Sequence, residues 1–279
     1  MASDVTEIGA RPAQPAEAPQ RPRPMRPHRL RFLVIYGTLA AALAAAVVGV
    51  VVLAGEGDNG SPAWSLWKPS GGGIGAAQQI VAQVAPRYRL ANGDQLVNVL
   101  ARPPSVTQGR QTIPLQIVAV RGTNGRFGEV AELSPTDSIM YVLCGLGESC
   151  SIATGKPSVA RGELVRREIL ELALYTFKYV PGIDSVLALM PPPGPKKPAL
   201  VVYLRKSDVA GELGKPLDHF LRPTVPQASA IAERLREVHV IDTVVTPRAF
   251  NGIGLTTTPT GESLLVLAPR RASKGATTP

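Results

Sequence analysis

The residues with the clearest chemical potential are Cys144 and Cys150, the two cysteines of the 279-residue chain. Five residues separate them, whereas dithiol redox motifs have two, so the spacing favours a structural disulfide in an oxidising compartment. Closing a loop of this length stabilises a fold by roughly 2–2.5 kcal/mol in the chain-entropy treatment. Gly145 and Gly147 lie between the cysteines and supply the backbone freedom that so tight a loop needs.

Motifs for catalysis and for cofactor or metal binding are incomplete. Residues 147–149 read Gly-Glu-Ser, as in a nucleophile elbow, but Ser151 stands where that motif has its last glycine. Ser65 and Lys68 have the S-x-x-K spacing, yet its companion motifs are missing from the sequence. The three histidines have no metal-ligand spacing. We therefore expect no catalytic, cofactor-binding or metal-binding residues.

The acidic residues leave two interpretations open. Glu168 and Glu171 share one face of a predicted helix, with Arg167 beside them, and this pattern predicts a solvated, salt-bridged face. The alternative is an enzyme or solute-binding site in a deep pocket. Two or more of the following residues in one pocket would favour it: Asp137, Glu148, His219, His239 and Asp242.

An uncharged segment from Phe32 to Ala54 predicts a transmembrane helix. Its 23 residues reach about 35 Å as a helix, enough for a hydrocarbon core of about 30 Å. Val52 and Ala54 also fit a signal-peptidase site, so cleavage after Ala54 is an alternative. The segment exceeds the 7–15 residues of a signal-peptide core, which favours an uncleaved signal anchor.

The flanking charges predict the orientation of this segment. Six arginines precede it, and Arg29 and Arg31 adjoin it directly, whereas Glu56 and Asp58 follow it. Because basic residues stay cytoplasmic, we expect the N-terminus in the cytoplasm and residues 55–279 outside the plasma membrane. The chain has many more arginines than lysines and abundant alanine, a bias typical of GC-rich bacterial genomes.

The remaining chain divides by composition. Residues 1–31 are basic and proline-rich and predict a disordered cytoplasmic tail. Residues 55–75 form a Gly/Pro/Ser linker, residues 76–269 an extracytoplasmic domain, and residues 270–279 a disordered C-terminal tail. Whether the domain is one unit or a duplicated pair stays open.

Two tryptophans lie in the predicted linker and have two possible roles. Trp64 and Trp67, with Arg29 and Arg31 on the other side, would suit the membrane interface. The tryptophans would equally suit packing beneath the folded domain.

Hydrophobic periodicity predicts an α+β domain with a mainly antiparallel sheet and helices on one face. The clearest helix runs from Val159 to Tyr179, with Ser158 as its N-cap. Further predicted helices are Ala76–Ala85 and Gln227–Glu237. The predicted strands are Gln95–Ala101, Thr112–Arg121, Phe127–Leu133, Ile139–Leu143, Asp184–Met190, Ala199–Leu204, Val238–Thr246, Phe250–Thr257 and Ser263–Leu267.

These features together predict a single-pass, membrane-anchored cell-envelope protein with a non-enzymatic extracytoplasmic binding domain. The alternative is a membrane-tethered enzyme or solute-binding domain that acts on cell-wall or lipid intermediates. The net charge of +6 after position 54 would suit the lipid bilayer and anionic wall polymers as partners, beside other envelope proteins, or would simply keep the domain soluble. Nucleic acid is not expected outside the cell. Small residues four apart, such as Gly37 and Ala41, would permit a homodimer through the transmembrane helix.

Overall fold

A computed structural model of the chain describes residues 63–108, 110–122, 126–192, 194 and 200–269. All of them belong to one compact unit that begins at Pro62. The predicted cytoplasmic tail, the predicted transmembrane segment 32–54, the first part of the linker and the tail 270–279 lie outside the described residues. Within the described residues, no helix is long and apolar enough to span a bilayer.

The described chain alternates strands and helices irregularly. The α-helices are α1 (Gly73–Val84), α2 (Val159–Tyr179), α3 (Ala210–Leu213) and α4 (Leu235–Val240). The strands are β1 (Asn98–Arg102), β2 (Ser105–Gln108), β3 (Gln111–Pro114), β4 (Ile117–Arg121), β5 (Phe127–Glu132), β6 (Ser138–Cys144), β7 (Ser185–Leu189), β8 (Val201–Arg205), β9 (Ala249–Thr257) and β10 (Ser263–Pro269).

Eight of these strands form one mixed sheet in the order β1-β6-β7-β8-β9-β10-β4-β5, and β2 and β3 form a separate hairpin. The pairs β6–β7 and β4–β10 are parallel, and the other five pairs of the sheet are antiparallel. Helix α2 makes the crossover that the parallel pair β6–β7 requires. The sheet is therefore mainly antiparallel, and the α+β prediction is confirmed for the described residues.

The sheet curls back on itself. Strands β5 and β8 are four places apart in the sheet, which would separate them by about 19 Å if the sheet were flat. Arg205 at the end of β8 nevertheless lies 3.1 Å from the carboxylate of Glu129 on β5. Strands β4, β5, β9 and β10 must therefore bend over one face of β6–β8.

Two hydrophobic clusters lie on opposite faces of the sheet. The larger contains the buried apolar residues of the α-helices, together with Tyr141, Val186 and Val202 from the central strands. The smaller contains alternate residues of the same strands, such as Met140 and Leu187, and no helical residue of the described chain. The helices thus cover one face, and the curled part of the sheet covers the other.

Helix α2 has the bounds predicted from the sequence. The hydroxyl of Ser158 accepts a hydrogen bond from the backbone amide of Arg161, the interaction that an N-cap supplies. The predicted hairpin of β9 and β10 is also present, with Ser263 opposite Thr257.

Three element predictions were wrong. The strand predicted at Val238–Thr246 is helical, because α4 continues as a π-helical turn over Ile241–Val245. The helix predicted at Gln227–Glu237 is interrupted at Arg234, whose φ/ψ of −88° and 59° is not helical. The strand predicted at Thr112–Arg121 is divided between β3 and β4.

The cause of the first error is packing. The buried positions Val240, Ile241 and Val245 have a helical spacing and join the larger cluster. Burial of that face outweighs the β preference of the β-branched residues in this segment.

Candidate functional site

A cleft opens where the N-terminal end of the described chain meets α2. Its volume is about 230 Å³, and six of its lining residues carry the argument that follows: Trp64, Trp67, Arg87, Glu171, Tyr175 and Asp218. We call it the aromatic cleft, because its walls are formed by rings from both sides.

The aromatic walls are held in edge-to-face contacts. The ring centroid of Tyr175 lies 5.6 Å from that of Trp64 and 5.7 Å from that of Trp67. Trp64 also meets Tyr179, one turn further along α2, at 5.5 Å. Such geometry suits the ring quadrupoles, so these rings hold one another in position.

The structure therefore places the tryptophans of the predicted linker against the folded domain, which is the second of their two possible roles. Trp64 is only 9% exposed. Its backbone carbonyl accepts a hydrogen bond from the amide of Leu217, 2.8 Å away. Residues Arg29 and Arg31, predicted for the other side of the membrane, lie outside the described residues.

The polar end of the aromatic cleft is an ion pair. One Nη of Arg87 donates to a carboxylate oxygen of Glu171, and the other donates to the backbone carbonyl of Pro223 at 3.3 Å. Arg87 thereby joins α2 to the segment that forms the opposite wall. The second carboxylate oxygen of Glu171 accepts a hydrogen bond from the Tyr88 hydroxyl at 2.6 Å.

Behind this ion pair lies the Arg167 network, which we define as Tyr88, Arg167, Glu171 and Glu237. The Arg167 side chain is 0% exposed. Its Nε donates to Glu237 at 2.5 Å and its Nη1 donates to the Tyr88 hydroxyl at 2.6 Å. Burial opposes its charge, but Tyr88 and the two carboxylates more than offset this, so the pKa of Arg167 is raised. Arg167 is therefore charged at any physiological pH.

Glu168 is the unusual member of this region. It is 0% exposed, and neither carboxyl oxygen has a hydrogen-bond partner among the described residues. Burial raises its pKa well above the ordinary value, and the charge of Glu171 raises it further, against the opposing effect of Arg87. A buried carboxyl without a partner avoids the cost of desolvating a charge by keeping its proton.

The solvated acidic face predicted for α2 is therefore wrong. Arg167, Glu168 and Glu171 are all buried. The sequence contained a signal for this, because apolar residues occupy most of the circumference of the helix between Leu164 and Ala173. The residues concerned are Leu164, Val165, Ile169, Leu170, Leu172 and Ala173. A wide apolar arc of this kind is typical of a helix that is buried on most of its surface.

Two of the pocket residues named from the sequence, Asp137 and His219, lie in separate pockets. Asp137 lines a pocket beside Tyr203 and Arg205, whereas His219 lines another beside α4. Asp137 accepts hydrogen bonds from the amide of Ser134 and the hydroxyl of Ser138, so it closes a local turn. Among the described residues, no group of three potential metal ligands is present.

The cysteine pair lies away from the cleft, at the end of β6. Cys144 and Cys150 form a disulfide, with Cα atoms 4.5 Å apart. The loop it closes is tight enough to give Ser149 and Cys150 positive φ angles of 53° and 61°. A side chain at Gly145 would collide with the backbone oxygen of Ser151, so glycine is required there.

Comparison with profiles of known protein families, with curated proteins and with solved structures found no match to this chain in any of the three.

Proposed function

We propose that this protein is a single-pass, membrane-anchored cell-envelope protein whose extracytoplasmic domain binds a ligand or partner in the aromatic cleft without catalysing a reaction. The observation that carries the proposal is the cleft itself. Its walls are aromatic, its polar end is a neutral ion pair, and Leu66 on its rim is 100% exposed. Largely apolar concave sites with a few fixed polar groups are typical of binding sites.

The state of the acidic residues supports binding rather than catalysis. Glu171 and Asp218 are the carboxylates that line the aromatic cleft, and both oxygens of Glu171 are already engaged by Arg87 and Tyr88. Glu168 holds a proton that an acid catalyst would need, but it is fully buried. A general acid must come within hydrogen-bond reach of the group it protonates.

The membrane anchor and the orientation rest on the sequence. They follow from the uncharged segment 32–54 and from the arginines that precede it. The disulfide is consistent with an oxidising compartment. The 24 basic and 18 acidic residues after position 54 would draw the domain toward anionic lipid or wall polymers.

A reporter that is active only outside the cytoplasm tests the orientation. Fused after Pro279, it should be active, and fused after Arg31, ahead of the apolar segment, it should be silent. The reverse pattern, or recovery of the whole chain in the soluble fraction, would refute the anchor and the compartment together.

Site-specific crosslinking tests the cleft. A photoreactive amino acid in place of Leu66 should give a defined adduct in living cells, identifiable by mass spectrometry. The matched control is the same residue in place of Leu235, which is also largely exposed but does not line the cleft. Equal labelling at both positions, or at neither, would refute a binding role for the aromatic cleft.

A further inference from the structure

The aromatic cleft has hydrogen-bond donors that the fold leaves unused. The Nε1 atom of Trp64 and the Nε atom of Arg87 are buried, and neither has an acceptor among the described residues. Both residues line the cleft. A buried donor without an acceptor costs free energy, which an acceptor on a bound ligand would recover. The cleft therefore favours a ligand that carries hydrogen-bond acceptors.

The cleft also presents an acceptor of its own. Asp218 lines it, is exposed, and has no ion-pair or hydrogen-bond partner among the residues that the structure describes. Gln83 is a second exposed lining residue without a partner in the described part of the chain, and its amide both donates and accepts. A ligand in the cleft can therefore donate hydrogen bonds as well as accept them.

The charges of the lining residues disfavour a simple ion. Arg87 and Glu171 neutralise each other, so Asp218 leaves the cleft with one uncompensated carboxylate. That charge would repel a small anion. A small cation would balance Asp218 but would leave the Trp64 and Arg87 donors without an acceptor. A neutral ligand that has both donors and acceptors can satisfy all of these groups.

The aromatic walls restrict the shape of that ligand. Trp67 and Tyr175 line the cleft with their ring centroids 5.7 Å apart. The faces of such rings are negative, so they attract C–H groups made slightly positive by neighbouring oxygen atoms. A sugar ring offers such C–H groups on an apolar face and hydroxyl groups around its edge. Each hydroxyl group is both a donor and an acceptor of hydrogen bonds.

From these observations we infer that the aromatic cleft binds a saccharide, whose ring packs against Trp67 and Tyr175 and whose hydroxyl groups bond Asp218 and the unused donors. The occupant is an uncharged sugar unit of a cell-envelope glycan. This inference rests on the proposed role of the cleft as a binding site and names the chemistry of its ligand.

Intrinsic fluorescence reports on the cleft directly, because both tryptophans of the chain line it. We would titrate the full-length chain, in a polyoxyethylene detergent without sugar groups, with chitotetraose, maltotetraose and mannotetraose. The matched controls are the per-methylated tetrasaccharides, which cannot donate hydrogen bonds, and sorbitol, which has hydroxyl groups but no ring.

A saturable change is expected with at least one tetrasaccharide and not with its methylated form or with sorbitol. The absence of a saturable change with all three sugars in the millimolar range, or an equal change with the controls, would overturn the inference. Acetate, butylammonium and N-acetylalanine methylamide represent anions, cations and peptides. A stronger response to any of these than to the sugars would also overturn it.

Variants locate the response to the tetrasaccharide that binds. Trp67→Leu removes a ring from the cleft and should weaken binding about tenfold. Asp218→Ala should also weaken it about tenfold. Asp218→Asn keeps an acceptor and should weaken it at most about twofold. Calorimetry measures all three, and equal losses for the two Asp218 variants would contradict a hydrogen bond from an uncharged ligand.

The matched controls remove a ring and a carboxylate elsewhere. They are Phe127→Leu, on the edge strand β5, and Asp242→Ala, whose carboxylate accepts a hydrogen bond from Thr246. Both should bind the sugar as the unchanged chain does, and circular dichroism would verify that every variant folds. Equal losses in the controls would contradict the assignment to the cleft.

The crosslinking experiment at Leu66 separates this inference from the proposed function. A defined protein adduct at Leu66 without any saccharide binding would overturn this inference and leave the binding domain standing. Failure of both experiments would remove both proposals.

Discussion

Two networks of arginines and carboxylates with similar composition lie in very different surroundings. The Arg167 network is buried among helices, and the Arg167 side chain is 0% exposed. The surface network, which we define as Glu129, Arg205, Asp208 and Arg248, joins the curled strands, and the exposure of its side chains runs from 10% for Asp208 to 38% for Arg205. The molecule therefore contains arginine–carboxylate pairs of the same kind at two levels of solvent exposure.

Burial decides what each network does for the fold. Removing one partner of a buried network leaves a desolvated charge without compensation and costs about 3–5 kcal/mol. Removing one partner of an exposed pair costs about 0–1 kcal/mol, because water replaces it. The Arg167 network thus fixes how α2, the segment after α1 and α4 pack together, whereas the surface network only reinforces a curl that the smaller hydrophobic cluster already imposes.

The strongest test of this difference is Arg167→Met. It should lower the free energy of unfolding by about 3–5 kcal/mol, because the buried Glu237 loses its nearest cation and Glu171 keeps only Arg87. Arg167→Lys keeps the charge but not the planar donor geometry of the guanidinium, so its free energy of unfolding should lie between those of Arg167→Met and the unchanged chain. Chemical denaturation measures both, and a loss below about 1 kcal/mol for Arg167→Met would show that the network is not buried in solution.

The disulfide gives a covalent reference for the two ionic networks. Replacing Cys144 and Cys150 together by serine should lower the free energy of unfolding by about 2 kcal/mol, between the two network effects. The reduced, unchanged chain should lose the same amount. An equal stability of the oxidised and reduced chains would contradict the stabilising role of the bridge.

Glu168 adds a test of the comparison between buried and exposed charged groups, because its burial makes the stability of the fold depend on pH. Since burial raises its pKa, the folded chain holds this proton to higher pH than the unfolded chain does. The protonated Glu168 side chain contributes its full stabilisation below the ordinary pKa of a glutamate. This stabilisation declines as the pH rises toward the raised pKa. Glu168→Gln removes this decline, so its free energy of unfolding should exceed that of the unchanged chain at about pH 8 and match it near pH 4.

A pH series of denaturation curves measures that slope. Glu262→Gln is the control, because Glu262 is an exposed glutamate in the β9–β10 turn. Parallel pH profiles for Glu168→Gln and the unchanged chain would mean that Glu168 ionises freely in the folded state.

The smallest effect is expected in the surface network. Arg248→Gln should lower the free energy of unfolding by at most about 1 kcal/mol, and the loss should shrink in 1 M salt. The loss caused by Arg167→Met should persist at that salt concentration. A salt-resistant loss of several kcal/mol for Arg248→Gln would erase the distinction between the two networks.

The elements with local signals were predicted well from the sequence. Helix α2 has a capping serine and a long run without glycine after Gly162, and both define it without tertiary information. The β9–β10 hairpin was recognised from the turn residues that separate two apolar strands. Both kinds of signal depend only on neighbours in the chain.

The aromatic cleft could not be predicted in this way. Trp64 and Tyr175 are more than a hundred residues apart, and nothing local pairs them. The burial of Glu168 depends likewise on surroundings that distant segments supply, as the shared cluster of α1, α2 and α4 shows. An i,i+4 pair such as Arg167 and Glu171 looks the same in sequence whether water or protein surrounds it.

The chain enters its folded body through a wall of the aromatic cleft. Edge-to-face ring contacts with two tyrosines of α2, and a hydrogen bond from the amide of Leu217 to its backbone carbonyl, hold Trp64 there. Any tension that arrives from upstream of residue 63 must consequently be borne first by these contacts, before it reaches the sheet. A ligand in the aromatic cleft would contact the same few rings, so its binding would change how firmly Trp64 is held at the start of this unit.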